Sequence, residues 1–492
     1  MELAASDLRA PSTEMAYDGL GAEKLVEIYR LMVLSRRVDD REILLKRQQK
    51  IYFQISAAGH EALQVAAGLA LRPGYDWFFP YYRDRGLCLA LGVTPEEMML
   101  QAVGAATDPA SGGRQMPTHW SSPSLHIVST SSCTGTQVLH GIGCAEAGLY
   151  FSRHPEAAAK HEGDYRAFRD VSFQGDEVSL VCLGEGATSE GEFWEAMNTA
   201  SNSRLPVIFC VEDNGYAISV PVEVNTPGGN ISRIVANFPN FHFAEIDGTD
   251  PVVCRRAFKA AAEHCRAGRG PAFVHGHCTR PYSHSLSDDD KLYRSAAERE
   301  ADALRDPINR MRERLIRHGI LSEAQLAELE RSVDREAEAA AVRALEAPLP
   351  SVGDIPHHVY SEDLDPCGPA FAAEPAQSAA NEGKAGTPKT MVDLINACFH
   401  DEMSRDPRIV IYGEDVADAS REQALAEVKG KGGVFKLTSG LQSRFGSDRV
   451  FNSPLAEANI VGRAVGYAVR GMKPVVEIQF FDYIWPAMHQ IR

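Results

Sequence analysis

The sequence has no surplus of positive charge: 50 lysines and arginines stand against 67 aspartates and glutamates, a formal net charge of −17. That balance argues against nucleic acid or anionic lipid as a binding partner and suits a basic protein surface better. No C-x-x-C pair occurs among the ten cysteines, and several of them sit in apolar runs. Buried free thiols in a reducing compartment are therefore expected. No apolar run approaches membrane-spanning length, and the opening MELAASDLRAPSTEM offers neither a basic start nor an apolar stretch, so the expectation is a cytoplasmic protein. What is present is an ordinary globular composition, 44% apolar and 24% charged over 492 residues, enough for two or three domains.

Apolar residues at helical spacing (Leu25, Ile28, Leu31, Met32) predict an amphipathic surface helix within 20–50. From about 125 to 280 short β-rich runs take over, VSLVCL (178–183), PVIFCVE (206–212) and PAFVHGHC (271–278), separated by helical stretches. This alternation predicts a parallel sheet flanked by helices. Residues 296–346 read as charged helices, and 347–389, rich in Pro, Ala and Gly, as a linker. Beyond it MVDLINACFHDEMSRDP reads as a helix, with RIVIYGED and KPVVEIQF as strands of a second α/β domain. The expected division is a tail (1–20), a first domain (21–346), the linker, and a second domain (390–492) that stops at Arg492 before a doubly wound sheet is complete.

The strongest chemical signal spans 178–219. A buried strand delivers Gly184-Glu185-Gly186 to its carboxyl end, where glycines would let a diphosphate approach the backbone. Ser189 and Glu192 have capping-box spacing for the next helix, whose first amides favour an anion. The following strand brings Asp213-Asn214-Gly215-Tyr216 to the same sheet edge. A carboxylate, an amide oxygen and a main-chain carbonyl could then complete an oxygen shell around Mg²⁺ with two phosphate oxygens. Either tripeptide alone reads as a turn; two of them after consecutive buried strands read as a metal-diphosphate clamp.

This arrangement resembles the thiamine-diphosphate motif of the 2-oxoacid dehydrogenase family, and over residues 20–310 the chain is similar to that family's alpha subunit. The resemblance implies that Glu185, Asn214 and the Tyr216 carbonyl hold Mg²⁺, and that Gly184, Gly186 and Ala187 border the diphosphate. It implies Tyr82 and Arg83, within YYRDRG (81–86), as diphosphate contacts, and Ser132 and Thr134, within SSCTGTQ (131–137), beside the cofactor's rings. Ser131, Thr136 and Gln137 would hold a monovalent cation, K⁺. Gly-Glu-Gly, where most members have Gly-Asp-Gly, points to the branched-chain subclass; Glu212, where that subclass has Arg and pyruvate-type members have Glu, points away from it.

RPYSHSLSDDDKLYR (280–294) has no strand or helix pattern and is expected as an exposed loop at the sheet edge. It resembles the family's active-site loop, which makes His284 a diphosphate-binding and acyl-transfer residue. Ser285 aligns with a serine phosphorylated in animal relatives, and a phosphate there would face Asp288, Asp289 and Asp290 and disorder the loop by repulsion. Thiamine chemistry also needs a carboxyl group beside the aminopyrimidine ring. FNSPLAEANIVG (451–462) resembles the beta-subunit segment that carries it, as Glu457, which also reads as an ordinary first-turn helix acid. IQFFDYIWPAMHQI (478–491) also resembles the beta subunit, which implies Gln479 and Tyr483 near the cofactor, while Phe480, Phe481 and Trp485 are expected as core packing.

The leading expectation is thus a decarboxylating enzyme of a 2-oxoacid dehydrogenase complex, an alpha half fused to part of a beta half. It would pass an acyl group to a lipoyl-bearing acyltransferase and work as a homodimer or an alpha-two-beta-two-like assembly. Ile55, beside Phe53, stands where pyruvate-type relatives have His, and favours a branched-chain substrate over pyruvate or 2-oxoglutarate. The rival from another class is a truncated, non-catalytic cofactor-binding or assembly protein, with the remaining beta segment encoded separately or in a longer fusion.

Overall fold

The computed structural model describes residues 17, 19–164, 174–359 and 388–492. The first domain is built on a parallel sheet whose strands are β1 (Trp77–Phe79), β2 (Ser179–Gly184), β3 (Val207–Asp213), β4 (His242–Asp247) and β5 (Ala272–His277), in the order β1-β2-β3-β5-β4. Side chains alternate across it. Leu180, Cys182, Ile208, Cys210 and Val274 pack on one face with helices α1 (Ala22–Arg47) and α2 (Glu61–Ala70). Val181, Leu183, Phe209, Val211 and Phe273 pack on the other with α3 (Thr136–Arg153) and α4 (Gly191–Ser203). Burial of both faces is what makes the central strands continuous apolar runs. The first face is closed further by α5 (Pro251–Arg266) and α6 (Glu323–Glu346).

The helix expected within 20–50 is α1, but it is a core element and not a surface one: Leu25, Ile28 and Met32 are buried, and so are Asp39 and Glu42. The buried acids are satisfied by residues distant in sequence, Glu42 by a two-pronged ion pair with Arg85 (2.8 and 2.6 Å) and Asp39 by hydrogen bonds from Gln54 and the Ala57 amide. Tyr17 and Leu20, assigned above to a tail, are buried in the same core; residues 1–16 and 18 lie outside the described residues. So does most of the expected linker, including Cys367. Of the other nine cysteines, all without disulfides, seven are buried.

The second domain carries α7 (Met391–Arg405), β6 (Ile409–Gly413), β7 (Val450–Asn452), α8 (Glu457–Val469) and β8 (Lys473–Glu477), with a parallel sheet ordered β8-β6-β7. It joins the first domain through α8, which lies across α3 at backbone distance. A Cβ built on Gly466 would stand 2.0 Å from the His140 carbonyl oxygen, one on Gly143 2.0 Å from that of Arg463, and one on Gly462 2.6 Å from the Leu139 Cβ. Around this crossing Tyr150 and Phe151 of α3 share a core with Val410, Tyr412, Ile460 and Tyr467. Buried Arg463 pairs with Glu146 (2.6 Å), and buried Arg470 pairs with Glu177.

The aromatics expected in this second core are instead exposed: Phe480 is 44%, Phe481 80% and Trp485 69% accessible. They follow the outer strand β8 on a 3-10 segment, Phe481–Ala487, that contributes only Ala487 to the interior. Among the described residues no helix is long and apolar enough to cross a membrane.

Candidate active site

Parallel strands deliver the turns at their carboxyl ends to one edge of a sheet. β2 and β3 are paired with Gly184 opposite Glu212, which sets Glu185 beside Asp213 and Asn214. Glu185 is 2% exposed. The backbone amides of Glu185 itself and of Asn214 face its carboxylate, yet one oxygen has no partner. Burial, reinforced by the Asp213 charge, pushes this carboxyl up to about 8. A buried acid with a bare oxygen is the donor that a hard divalent cation would use, so the residues present fit Mg²⁺.

Asn214 is fixed from behind. Its Nδ2 donates toward His60 Nε2 (3.1 Å), and His60 Nδ1 meets Glu212 Oε2 (2.5 Å), so the amide Oδ1 is turned to the other side, where it also accepts from the Tyr216 amide (3.2 Å). Glu212 receives further hydrogen bonds from Gln64 (2.9 Å) and Tyr81 (3.2 Å). Burial opposes its charge, but the hydrogen bonds of His60, Asp84 and Gln64 hold it below the usual carboxylate range. Asp84, wholly buried beside that charge, is pushed well above it. Glu212 is thus a support of Asn214, turned into the protein. His60, Gln64 and Asp84 were not foreseen; they lie far from Glu212 in sequence and carry no periodic signature.

Gly186 is required by the chain itself, since a Cβ there would come 2.6 Å from the Ala217 Cβ. Ala187 is buried, and the Tyr216 hydroxyl donates to Glu298 (2.6 Å), leaving its carbonyl as the group available to a metal. The expected capping box is absent. Residues Glu185–Ser189 form a 3-10 turn, which moves the helix start to Gly191 with Glu190 as its N-cap. Ser189 then donates to Asn225, and Glu192 pairs with His489 (2.5 Å).

A cationic wall faces the Glu185 edge. Arg83, 2% exposed, hydrogen-bonds the Ser56 carbonyl, donates to His284 Nδ1 (2.8 Å) and lies over the Tyr82 ring (5.2 Å). It is also among the charges that act on Glu185. Burial, then the charges of Arg83 and Arg280, pushes His284 down to about 4, leaving a neutral imidazole. The loop bearing it is tied down and only partly exposed. Buried Arg294 pairs with Asp302 (2.5 Å), Arg280 donates to the Tyr293 hydroxyl (2.7 Å), and the Asp288 carboxylate accepts from the His284 amide (2.9 Å). Ile55 forms a β-bridge with Ser285 under this loop, beside a cavity of about 600 Å³ lined by Gln54, Ser56, Tyr282, Ser285 and Leu286.

Ser132 and Thr134 are exposed on the loop before α3, with Ser132 Oγ against His119 (2.7 Å). Ser131 accepts from the Cys133 amide, Thr136 donates to the Cys133 carbonyl (2.9 Å), and Gln137 donates to the Cys182 carbonyl (2.8 Å). From the second domain, Glu457 opens α8, whose first turn docks on α4: the Asn459 amide donates to Glu195 (2.9 Å), and Glu457 adds its charge there. Gln479 donates to Glu414 (3.0 Å), and Tyr483 rests half-exposed on Phe480.

Residues 29–352 match the family model described as dehydrogenase E1 component. The chain belongs to the dehydrogenase E1 component family. In this E1 chain, residues 387–492 match a second model, the pyrimidine-binding domain of transketolase, and the two families together imply thiamine diphosphate. Among relatives, the 2-oxoisovalerate dehydrogenase subunit alpha of Bacillus subtilis (strain 168) is 37% identical over 305 residues, 62% of this chain and 86% of that protein. The 3-methyl-2-oxobutanoate dehydrogenase subunit alpha of Mycobacterium tuberculosis (strain H37Rv) is 32% identical over 314 residues, 64% and 76% of the two chains. The pyruvate dehydrogenase E1 component subunit alpha of Mycoplasma genitalium is 30% identical over 343 residues, 69% and 86%.

Proposed function

We propose that this chain is the decarboxylating first component of a 2-oxoacid dehydrogenase complex, acting on a branched-chain 2-oxoacid and passing the acyl group to the lipoyl arm of an acyltransferase. The observation that carries the reading is the buried Glu185 carboxylate with one bare oxygen, set beside Asn214 and within the influence of Arg83, which in turn holds His284. On this reading residues 21–346 are the diphosphate half and 390–492 the pyrimidine half, working in a two-fold assembly.

Glu185, Asn214 and the Tyr216 carbonyl would hold Mg²⁺, Arg83 and Tyr82 the diphosphate, with Gly184, Gly186 and Ala187 alongside. Ser131, Thr136 and Gln137 would form a K⁺ site that braces the loop of Ser132 and Thr134. Bound thiamine diphosphate supplies a cationic ring that accepts the electron pair left by departing carbon dioxide. Glu457 would exchange a proton from its carboxyl oxygen with the aminopyrimidine, while Gln479 and Tyr483 flank it. His284, neutral and anchored through Nδ1 to Arg83, keeps Nε2 free to hold a proton for the acyl-transfer step.

The test is carbon dioxide release from a panel of 2-oxoacids in the presence of Mg²⁺ and thiamine diphosphate, with a lipoylated acceptor domain. Branched-chain acids should be turned over faster than pyruvate. Preference for pyruvate would favour the second reading, a pyruvate-type enzyme, which the Mycoplasma relative and Glu212 support. Absence of both release and cofactor binding would refute the enzyme reading.

A further inference from the structure

We propose that Asp213, His275 and His277 bind one divalent ion of the zinc class, at a site separate from the cofactor's metal. The sheet register builds the cluster: Asp213 of β3 is opposite His277 of β5, and His275 is opposite Glu245 of β4, so all four side chains share one face at the carboxyl edge. Each ring has one nitrogen held by an outer partner and turns the other to Asp213. His275 Nδ1 is held by the Ser232 hydroxyl (2.8 Å) and its Nε2 faces Asp213 Oδ2 (3.0 Å). His277 Nε2 is held by Glu245 (2.8 Å) and its Nδ1 faces the same Asp213 Oδ2 (3.4 Å). A hydroxyl and a carboxylate fixing the far side of each imidazole is the outer arrangement that orients metal-binding histidines.

The three donor atoms lie within 4.8 Å of one another. Tetrahedral coordination at zinc bond lengths separates its donors by about 3.3 Å, so the two contacts to Asp213 are already near that spacing and the two ring nitrogens would close on one another by up to about 1.5 Å. Two imidazole nitrogens and one carboxylate oxygen select zinc-like ions over Mg²⁺, which takes oxygen ligands and near-octahedral geometry. The Glu185 edge offers the opposite chemistry: carboxylate, amide and carbonyl oxygens. His275 is fully buried, whereas the His277 side chain is 37% exposed, so the ion would have a solvent-side position for water.

The full chain, stripped with a chelator and kept in excess Mg²⁺, is titrated with Co²⁺ and read by its visible ligand-field absorption, then with Zn²⁺ as competitor. One equivalent of Co²⁺ should bind and be displaced by Zn²⁺. His277→Asn, at the half-exposed position, should abolish the band while circular dichroism stays native. His275→Gln should do the same, and Glu245→Gln should weaken binding roughly tenfold. Glu185→Ala should leave the band intact, since that residue belongs to the cofactor's metal in the proposal above. No saturable uptake in excess Mg²⁺, uptake that survives both histidine variants, or loss of the band in Glu185→Ala would each overturn the assignment.

Discussion

Replacing Gly466 by alanine tests the idea that the two domains are joined by backbone contact. The added methyl would lie 2.0 Å from the His140 carbonyl oxygen and 2.6 Å from the Cys144 amide nitrogen. A carbon and a carbonyl oxygen rest at about 3.3–3.6 Å, so α8 must withdraw from α3 by roughly 1.3 Å or more. Neither atom is a side-chain end that could rotate away. Overpacking of this kind costs about 1–3 kcal/mol, and alanine's better helix propensity returns at most about 1, so a net loss of about 1–2 kcal/mol is expected. Gly148→Ala in α3 is the control, because its nearest neighbour is the end of the Arg470 side chain at 3.4 Å, and it should be neutral or stabilising by up to about 1 kcal/mol. Denaturant titrations of the three proteins, with hydrogen exchange followed at the α3 and α8 amides, read the difference. A Gly466→Ala midpoint equal to that of the wild type would refute the backbone-contact argument.

At the cofactor edge, Glu185→Ala should abolish Mg²⁺-dependent binding of thiamine diphosphate in a fluorescence titration, while Glu185→Asp keeps the ligand oxygen and should retain binding within about tenfold; equal affinities for both variants would remove Glu185 from the metal. Glu457→Gln should bind cofactor normally but lose most carbon dioxide release, a loss of roughly a hundredfold or more for a removed acid-base group. Acid should also loosen the domain junction. Burial pushes His140 down to about 4, so between the unfolded value near 6.5 and that point the unfolded chain binds more protons than the folded one. Stability present at neutral pH is then lost as pH falls through this window, about 3 kcal/mol at most, and His140→Gln should flatten that slope in denaturation midpoints measured from pH 7 to 4.

The central strands were legible because burial on both faces writes them as unbroken apolar runs, as in Val207–Asp213. β4 escaped because it is an outer strand with half-exposed residues such as Glu245, and β1 because it is three residues long. The meeting of 185 and 214 was legible for the same reason as the strands: parallel order alone sends both to one sheet edge. The side chains that hold this edge in place were not. The contacts of Glu212 with His60 and of Arg83 with His284 join residues 152 and 201 positions apart, and a single sequence carries no mark of such pairing. The Ser189 spacing misled because a 3-10 turn and a helix N-terminus share the same residue preferences, and the aromatics after β8 misled because hydrophobicity alone does not say which side of an outer strand a segment takes.

The crossing of α3 and α8 has a consequence for how such a molecule behaves on dilution. Two partners on one polypeptide meet at an effective concentration of millimolar order, whatever the amount of protein around them. The interface can therefore be intrinsically weak and still stay closed, and each first domain is matched one-to-one with a second domain on the same chain. Separately translated halves would drift apart as the solution thins; here dilution leaves the fraction joined unchanged.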